Sequence, residues 1–125
     1  MPMQLLRLRG RKICDRVLRH GSVWKGKTMV VRFLSGAPKH PAVNPETKAV
    51  YIGILASARL DKSAVVRNRM RRRCREAFRL VLKDGGDFST VQLLIAPRSS
   101  SLMSPFEDIK RDVSSFLSQL THAGR

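Results

Sequence analysis

The segment from Arg67 to Arg79 constrains the fold of this chain more than any other. Seven of its thirteen residues are arginine, and a single acid, Glu76, interrupts them. At about 100° per residue, a helix through this segment would collect apolar side chains on one side and most of the arginines, with Asn68, on the other. The apolar side would carry Val66, Met70, Cys74, Ala77, Phe78 and Val81. The sequence therefore predicts a helix over residues 64–83, with one face in a core and one facing outward.

The density of arginine on that outer face indicates an anionic partner. A solvated helix usually mixes acids and bases at i,i+4 spacing, whereas like charges at that spacing repel one another. The arginine fork forms bidentate hydrogen bonds with phosphate and stacks on bases, so nucleic acid is the preferred partner. The whole chain agrees, with 25 Lys and Arg against nine Asp and Glu. Because no helix-turn-helix pair, zinc-finger spacing or heptad zipper accompanies the basic helix, a structured RNA is favoured over DNA.

The rest of the chain predicts short alternating elements of one domain. The predicted order is a helix over 11–20, strands over 28–34 and 49–57, the arginine helix over 64–83, a strand over 90–96 and a helix over 104–120. Gly21 and the Gly85–Gly86 pair would end the first two helices. Ser104, Pro105 and Glu107 would form a capping box at the start of the last helix. These elements predict an α+β, two-layer αββαβα sandwich over residues 11–120, with a basic N-terminal arm at 1–10 and a tail at 121–125.

Composition and spacing argue against several other classes of protein. Cys14 and Cys74 are too few for a disulfide scaffold and lack metal-ligand spacing, so a reducing cytoplasmic location is expected. No apolar run approaches the roughly 20 residues of a membrane span. The histidines and carboxylates share no spacing that would bring them together. The chain is therefore expected to have no catalytic residues and no metal site of its own, and no protein partner is evident.

Residues 64–79 read AVVRNRMRRRCREAFR, and this order closely resembles the signature of the bacterial ribonuclease P proteins. Their hallmark is an Arg-Asn-Arg core followed by basic residues and an Arg-Glu-Ala-Phe-Arg-like ending. The resemblance extends over roughly residues 6–120. It is carried further by Asp15–Gly21, Ile52–Ile54, Leu94–Ala96 with Arg98, and Ser104–Leu120.

The resemblance implies a fold and a division of labour. It implies a ribosomal-protein-S5-domain-2-like fold with a left-handed βαβ crossover, against the usual right-handed rule. It implies that the arginine helix binds the catalytic RNA subunit, while a cleft between the first helix and the sheet binds the single-stranded 5′ leader of precursor tRNA. Cleavage would be carried out by the RNA with Mg²⁺. The protein would bind no cofactor by itself but would improve substrate binding and metal affinity.

The resemblance also assigns site residues. The RNA-subunit-binding set is Arg67, Asn68, Arg69, Arg71, Arg72, Arg73, Arg75 and Arg79. The leader-binding set is Arg11, Cys14, Leu18, Arg59 and Arg98.

This chain departs from the family pattern at the leader-binding positions. The family typically has Phe where Cys14 and Leu18 stand here, and aromatic stacking contributes about 1–3 kcal/mol per base. Trp24 either replaces that stacking or belongs to the core. A further departure is Ala58–Arg59, where many relatives have two basic residues.

Two other functions fit a small basic α+β domain. One is a ribosomal or other structural RNA-binding protein with no role in cleavage. The other is a self-sufficient basic endonuclease, which would cut RNA without an RNA subunit.

Overall fold

The computed structural model describes residues 4–44, 46–57, 60–84 and 89–123, with the backbone alone for residues 121–123. Its elements are β1 (Gln4–Arg7), α1 (Arg11–His20), β2 (Ser22–Lys25), β3 (Met29–Ser35), β4 (Ala49–Ile54), α2 (Ala64–Lys83), β5 (Val91–Pro97), α3 (Ser100–Met103) and α4 (Phe106–Ala123). The α+β class is confirmed. The arginine helix has the predicted bounds.

The strands form a five-stranded sheet in the order β1-β4-β5-β3-β2. Strand β4 is parallel to β1 and β5, while β3 is antiparallel to β5 and β2. Helix α2 connects the parallel neighbours β4 and β5. The left-handed sense of that crossover stays a prediction.

The two edge strands were not predicted. Residues Gln4–Arg7, assigned to an N-terminal arm, pair in register with Ala49–Ile52 and form strand β1. Residues Ser22–Lys25 pair with the middle of β3 and form β2. The sheet therefore includes part of the predicted arm.

One face of the sheet carries the larger core. Alternate side chains of the central strands, among them Val31, Ile52 and Leu93, pack against the buried faces of α2 and α4. The Trp24 ring lies 5.6 Å from that of Phe116, edge to face, and packs against this core. Of the two interpretations of Trp24, core packing is the one the structure supports.

The opposite face carries α1 and a second, smaller core. Val17 of α1 is fully buried, in a cluster with Leu8, Tyr51 and Leu94. The central strands are thus buried on both faces, and their residues are apolar almost without interruption, as is usual for parallel strands. The predicted two-layer sandwich therefore has a third, partial layer formed by α1.

The helix ends agree only in part with the predicted caps. The N–H of Gly21 donates to the Val17 carbonyl at 2.9 Å and ends α1 as predicted. The Ser104 hydroxyl instead donates to the Ser100 carbonyl at 2.8 Å, so Ser104 ends α3 and does not cap α4. Helix α4 runs on to Ala123, into the predicted tail. Gly85 and Gly86 lie outside the described residues.

Candidate RNA-binding surface

Helix α2 separates its apolar and basic sides as the sequence predicts. It begins at Ser63, whose hydroxyl accepts the N–H of Val66 at 3.3 Å. Met70, Cys74 and Phe78 are buried, and Cys74 and Phe78 belong to the larger core between the sheet, α2 and α4. Burial raises the pKa of the Cys74 thiol from 9.0 to about 12, so this cysteine is a core residue and not a nucleophile.

Two arginines of α2 turn their guanidinium groups back onto the protein. Arg67 donates to the carbonyls of Asp61 and Lys62 at 2.9 and 3.0 Å. Arg73 donates to three carbonyls at the end of α3, those of Ser101 at 2.7 Å, Leu102 at 3.1 Å and Ser104 at 2.7 Å. These contacts stabilise the loop before α2 and the short helix α3. That Arg67 and Arg73 also bind RNA stays a prediction.

Two further arginines are partly engaged. Arg71 donates to Oδ1 of Asn68 at 2.7 Å and to the Ala56 carbonyl at 2.8 Å, tying the segment after β4 to α2. Arg79 pairs with Glu76, one turn away, with its Nε 3.0 Å from Oε2. This hydrogen bond holds the pKa of Glu76 below its usual 4.5. Glu76 thus neutralises one cation of the helix.

Three arginines have no hydrogen-bond or ion-pair partner within the described ranges: Arg69, Arg72 and Arg75. They lie three residues apart, so each neighbours the next on the helix surface. Arg69 and Arg72 are exposed, and Arg75 is half-buried. Their mutual repulsion and unused donors are the features of a site for phosphate groups.

An open groove of about 830 Å³ lies between α2, α1 and the end of β4. We call it the arginine groove. Its α2 wall includes Asn68, Arg72 and Arg75, and Cys14 lines it from α1. Its other described lining residues include Arg7, Leu8, Gly53, Leu55 and Val65.

The sheet edge explains why the groove is open. Strand β1 ends at Arg7, and the N–H of Leu8 makes a last hydrogen bond to the Ile52 carbonyl at 2.9 Å. Beyond that bond β1 no longer pairs with β4, and the edge of β4 at Gly53 and Ile54 is left unpaired on this side. A Cβ at Gly53 would lie 2.9 Å from Cδ2 of Leu94, so glycine keeps this part of the groove clear.

Of the described residues in the predicted leader-binding set, only Cys14 lines the arginine groove. Cys14 lies in the arginine groove, and burial, with a smaller effect of Asp15, raises its pKa. Arg11 and Leu18 are exposed elsewhere on α1. Arg98 directly follows β5 and contacts the turn between β2 and β3, where its Nε donates to the Gly26 carbonyl at 3.0 Å. Arg59 falls outside the described residues.

Sequence reasoning missed several residues of the groove, among them Arg7, Leu8, Leu55 and Val65. Arg7 was missed because strand β1 was not predicted. Leu55 and Val65 are 44% and 74% exposed, unusual for aliphatic residues, but only the fold shows that they lie beside unpartnered arginines. No local pattern in the sequence could have revealed them.

Among the described residues, neither a metal centre nor a membrane segment is evident. Over the part of the chain described, no three His, Cys, Asp or Glu side chains are grouped so that they could hold a metal ion. No helix in that part is long and apolar enough to cross a membrane.

The family model and the sequence relatives that match this chain name the same family. The family model for ribonuclease P matches residues 3–121. The ribonuclease P protein component of Parasynechococcus marenigrum (strain WH8102) is 29% identical over 118 residues, which cover 90% of this chain and 91% of that protein. The ribonuclease P protein component of Prochlorococcus marinus (strain MIT 9303) is 34% identical over 71 residues, covering 54% of this chain and 56% of that protein.

Solved structures agree on the fold. The RNase P protein of Thermotoga maritima superposes with a TM-score of 0.70 at 19% identity, over 90% of this chain and 96% of that one. The RNase P protein of Staphylococcus aureus gives 0.66 at 18% identity, over 95% and 94% of the two chains. At such low identity these matches establish the α+β fold.

Proposed function

This chain belongs to the ribonuclease P protein family, and on that basis we propose how its surfaces serve the enzyme. It is a protein component of ribonuclease P, an endoribonuclease of tRNA processing. We propose that α2 binds the catalytic RNA subunit and that the arginine groove receives the 5′ leader of precursor tRNA. The holoenzyme then removes the leader to give the mature 5′ end. The observation that carries this proposal is the row Arg69, Arg72 and Arg75, which lacks protein partners in the described ranges.

The row supports RNA binding for an energetic reason. Phosphate contacts replace condensed counterions, so each neutralised phosphate favours binding and makes it salt-dependent. Arg67, Arg73 and Arg79 already donate to carbonyls or to Glu76, and reaching phosphate would cost those bonds. Within the predicted set, the three unpartnered arginines therefore contribute most, and Asn68 and Arg71 lie beside them.

The geometry of α2 lets one helix serve both RNAs. Arg72 and Arg75 line the arginine groove together with Cys14, whereas Arg69 does not. We assign the side of α2 that carries Arg69 to the RNA subunit and the groove side to the leader. Docking of α2 then fixes the leader next to the catalytic RNA. Contacts of the leader with Arg11, Leu18, Arg59 and Arg98 remain part of the proposal.

Chemistry is proposed to belong to the RNA. We propose that the Mg²⁺ of the reaction acts with the RNA subunit in the holoenzyme. What the chain supplies is positive charge beside the substrate, which strengthens leader binding and reduces the repulsion between the two RNAs. We expect apparent metal affinity to rise for the same reason. The free thiols Cys14 and Cys74 favour the cytoplasm as the location.

Reconstitution tests the proposal. The full chain with its RNA subunit should cleave precursor tRNA at a low Mg²⁺ concentration at which the RNA alone is slow, and the chain alone should cleave nothing. An Arg69→Ala/Arg72→Ala/Arg75→Ala variant should lose this effect. A matched variant, Lys48→Ala/Lys110→Ala/Arg111→Ala, removes equal charge away from α2 and should keep it. Cleavage by protein alone, or a chain that does not accelerate the RNA, would contradict the proposal.

A second arm tests the groove. The Arg72→Ala/Arg75→Ala variant should weaken binding of leader-containing precursor more than binding of mature tRNA. Equal losses for both would contradict the leader assignment and leave only the RNA-subunit assignment. Co-sedimentation with ribosomal subunits, with leader removal unchanged on depletion, would favour a structural RNA-binding protein instead.

A further inference from the structure

A second basic groove lies on the other side of α1. It has a volume of about 350 Å³, at the small end of the roughly 300–1,000 Å³ of ligand sites. It runs between α1 and the segment that follows β3, residues 35–39. Its cations are Lys12, Arg16 and Lys39, and we call it the lysine groove. None of the residues that line it is acidic.

The cations of the lysine groove are not neutralised by the protein. Within the described ranges Lys12, Arg16 and Lys39 make no hydrogen bond or ion pair, and all three are exposed. Lys12 and Arg16 are four residues apart on α1, where like charges destabilise a helix. Lys39 adds a third positive charge from the opposite wall. An anion between the walls would relieve all three repulsions.

The wall opposite α1 is held in place. The Gly36 N–H donates to the Thr90 carbonyl at 2.9 Å, and the Gly36 carbonyl accepts from Nε2 of Gln92 at 3.2 Å. Gly36 has φ of 95°, a conformation that side chains disfavour. Ala37 packs against the smaller core, and Pro38 is buried. Lys39 therefore projects from an anchored segment and not from a free loop.

The two grooves lie on different sides of α1 and share no lining residue. Ile13, which lines the lysine groove, and Cys14, which lines the arginine groove, lie on either side of the buried Val17 of α1. One strand could occupy both grooves only by crossing over α1. Occupation of the lysine groove is thus a contact additional to the proposed leader path.

We propose that the lysine groove binds phosphodiester groups of a second RNA segment. Arginine and lysine side chains that converge without acids are suited to phosphate, with Arg16 able to donate two hydrogen bonds and the lysines acting as point charges. The choice of RNA over a small phosphate compound rests on the proposed function, in which α2 of the same chain binds RNA.

The test uses the full chain, isotopically labelled, with two probes: a short single-stranded RNA and inorganic pyrophosphate. With RNA, the amide signals of Gly36, Ala37 and Lys39 should shift and saturate. They should also shift in the Arg69→Ala/Arg72→Ala/Arg75→Ala variant, because the lysine groove does not include α2. A Lys12→Ala/Arg16→Ala/Lys39→Ala variant should lose these shifts and reduce the slope of log K against log salt by about two, at roughly 0.7 per phosphate. The Lys48→Ala/Lys110→Ala/Arg111→Ala variant is the control of equal charge and should keep the slope.

The outcomes separate this inference from the proposed function. RNA binding in which only α2 signals respond, with an unchanged slope in the lysine-groove variant, would overturn the inference alone. Shifts of Gly36 and Lys39 with pyrophosphate but not with RNA would overturn RNA as the source of the phosphate. A chain that binds no RNA at all would overturn the proposed function as well.

Discussion

Replacing Arg73 with alanine should destabilise the fold, although the side chain lies in a segment that looks wholly dedicated to RNA. Its guanidinium donates to three carbonyls of residues 101–104, and the four-residue helix α3 is too short to be stable by itself. A hydrogen bond that involves a charged group contributes about 1.5–3 kcal/mol when buried. Because Arg73 is only half-buried and water can reach the freed carbonyls, we expect a total loss of about 2 kcal/mol. For a chain of 125 residues this corresponds to a fall in Tm of roughly 6–10 °C.

Urea denaturation and thermal melting measure this loss, with Arg72→Ala as the matched control. Arg72 is the preceding residue on the same helix, is exposed and has no partner among the residues described. Its replacement should change the free energy of unfolding by no more than about 0.5 kcal/mol. In RNA binding the order of the two effects should be reversed, with Arg72→Ala having the larger effect. Below both melting temperatures, Arg72→Ala should reduce the slope of log K against log salt for a single-stranded RNA by about 0.7, the loss of one phosphate contact, and Arg73→Ala should leave it unchanged.

Two results would refute this division of the arginines. One is equal destabilisation by both variants, which would mean that the carbonyl contacts of Arg73 contribute nothing beyond the helix itself. The other is a reduced salt slope for Arg73→Ala at full folding, which would mean that its guanidinium leaves α3 to bind phosphate.

Three further predictions follow from single contacts. Oδ2 of Asp112 accepts both the N–H and the hydroxyl of Thr28 at 2.6 Å. In urea denaturation, Asp112→Ala should therefore lower the free energy of unfolding by about 2 kcal/mol. Thr28→Val keeps the bond from the backbone N–H and should lower it clearly less. Glu76→Gln should release Arg79 and tighten RNA binding several-fold with little change in the urea midpoint; unchanged affinity would contradict the view that Glu76 neutralises part of the surface. Burial raises the pKa of Cys74 from 9.0 to about 12, so the folded state disfavours the thiolate and stability is lost as pH rises through this window. Between pH 8 and pH 10.5 the wild type should lose roughly 2 kcal/mol more than Cys74→Ala, and equal losses would show that Cys74 ionises as readily folded as unfolded.

Elements with a strong local pattern could be predicted from the sequence. Helix α2 has both an apolar period and a basic opposite face, and its bounds are those predicted. The missed strands β1 and β2 have four residues each, mostly exposed, with charged ends at Arg7 and Lys25. Nothing in four such residues specifies a strand. They are extended because β4 and β3 offer free edges, and this pairing is non-local.

The candidate site could be predicted in outline but not in detail. The helical period places Arg67 and Arg73 towards the apolar side, but the acceptors of Arg73 lie in a distant part of the chain. The carbonyls that accept from Arg73 lie 28 to 31 residues away in sequence. The arginine groove likewise depends on β1 ending at Arg7 beside a longer β4. Such features follow from how elements meet, which no local pattern in the sequence records.

The absence of aromatic residues at Cys14 and Leu18 changes what kind of leader binding this surface can support. The apolar side chains that line the arginine groove, such as Leu8, Leu55 and Val65, are aliphatic, and they exclude water but do not stack as an aromatic ring does. In the proposed leader path the phosphates contact Arg72 and Arg75, whose donors have no partner among the described residues. Charge therefore carries a larger share of the affinity here than in a relative with two phenylalanines. Because charge contacts weaken with salt and stacking hardly does, we expect the proposed leader binding to weaken more steeply with salt in this chain than in such a relative, and the net charge of +16 is consistent with a larger contribution from charge.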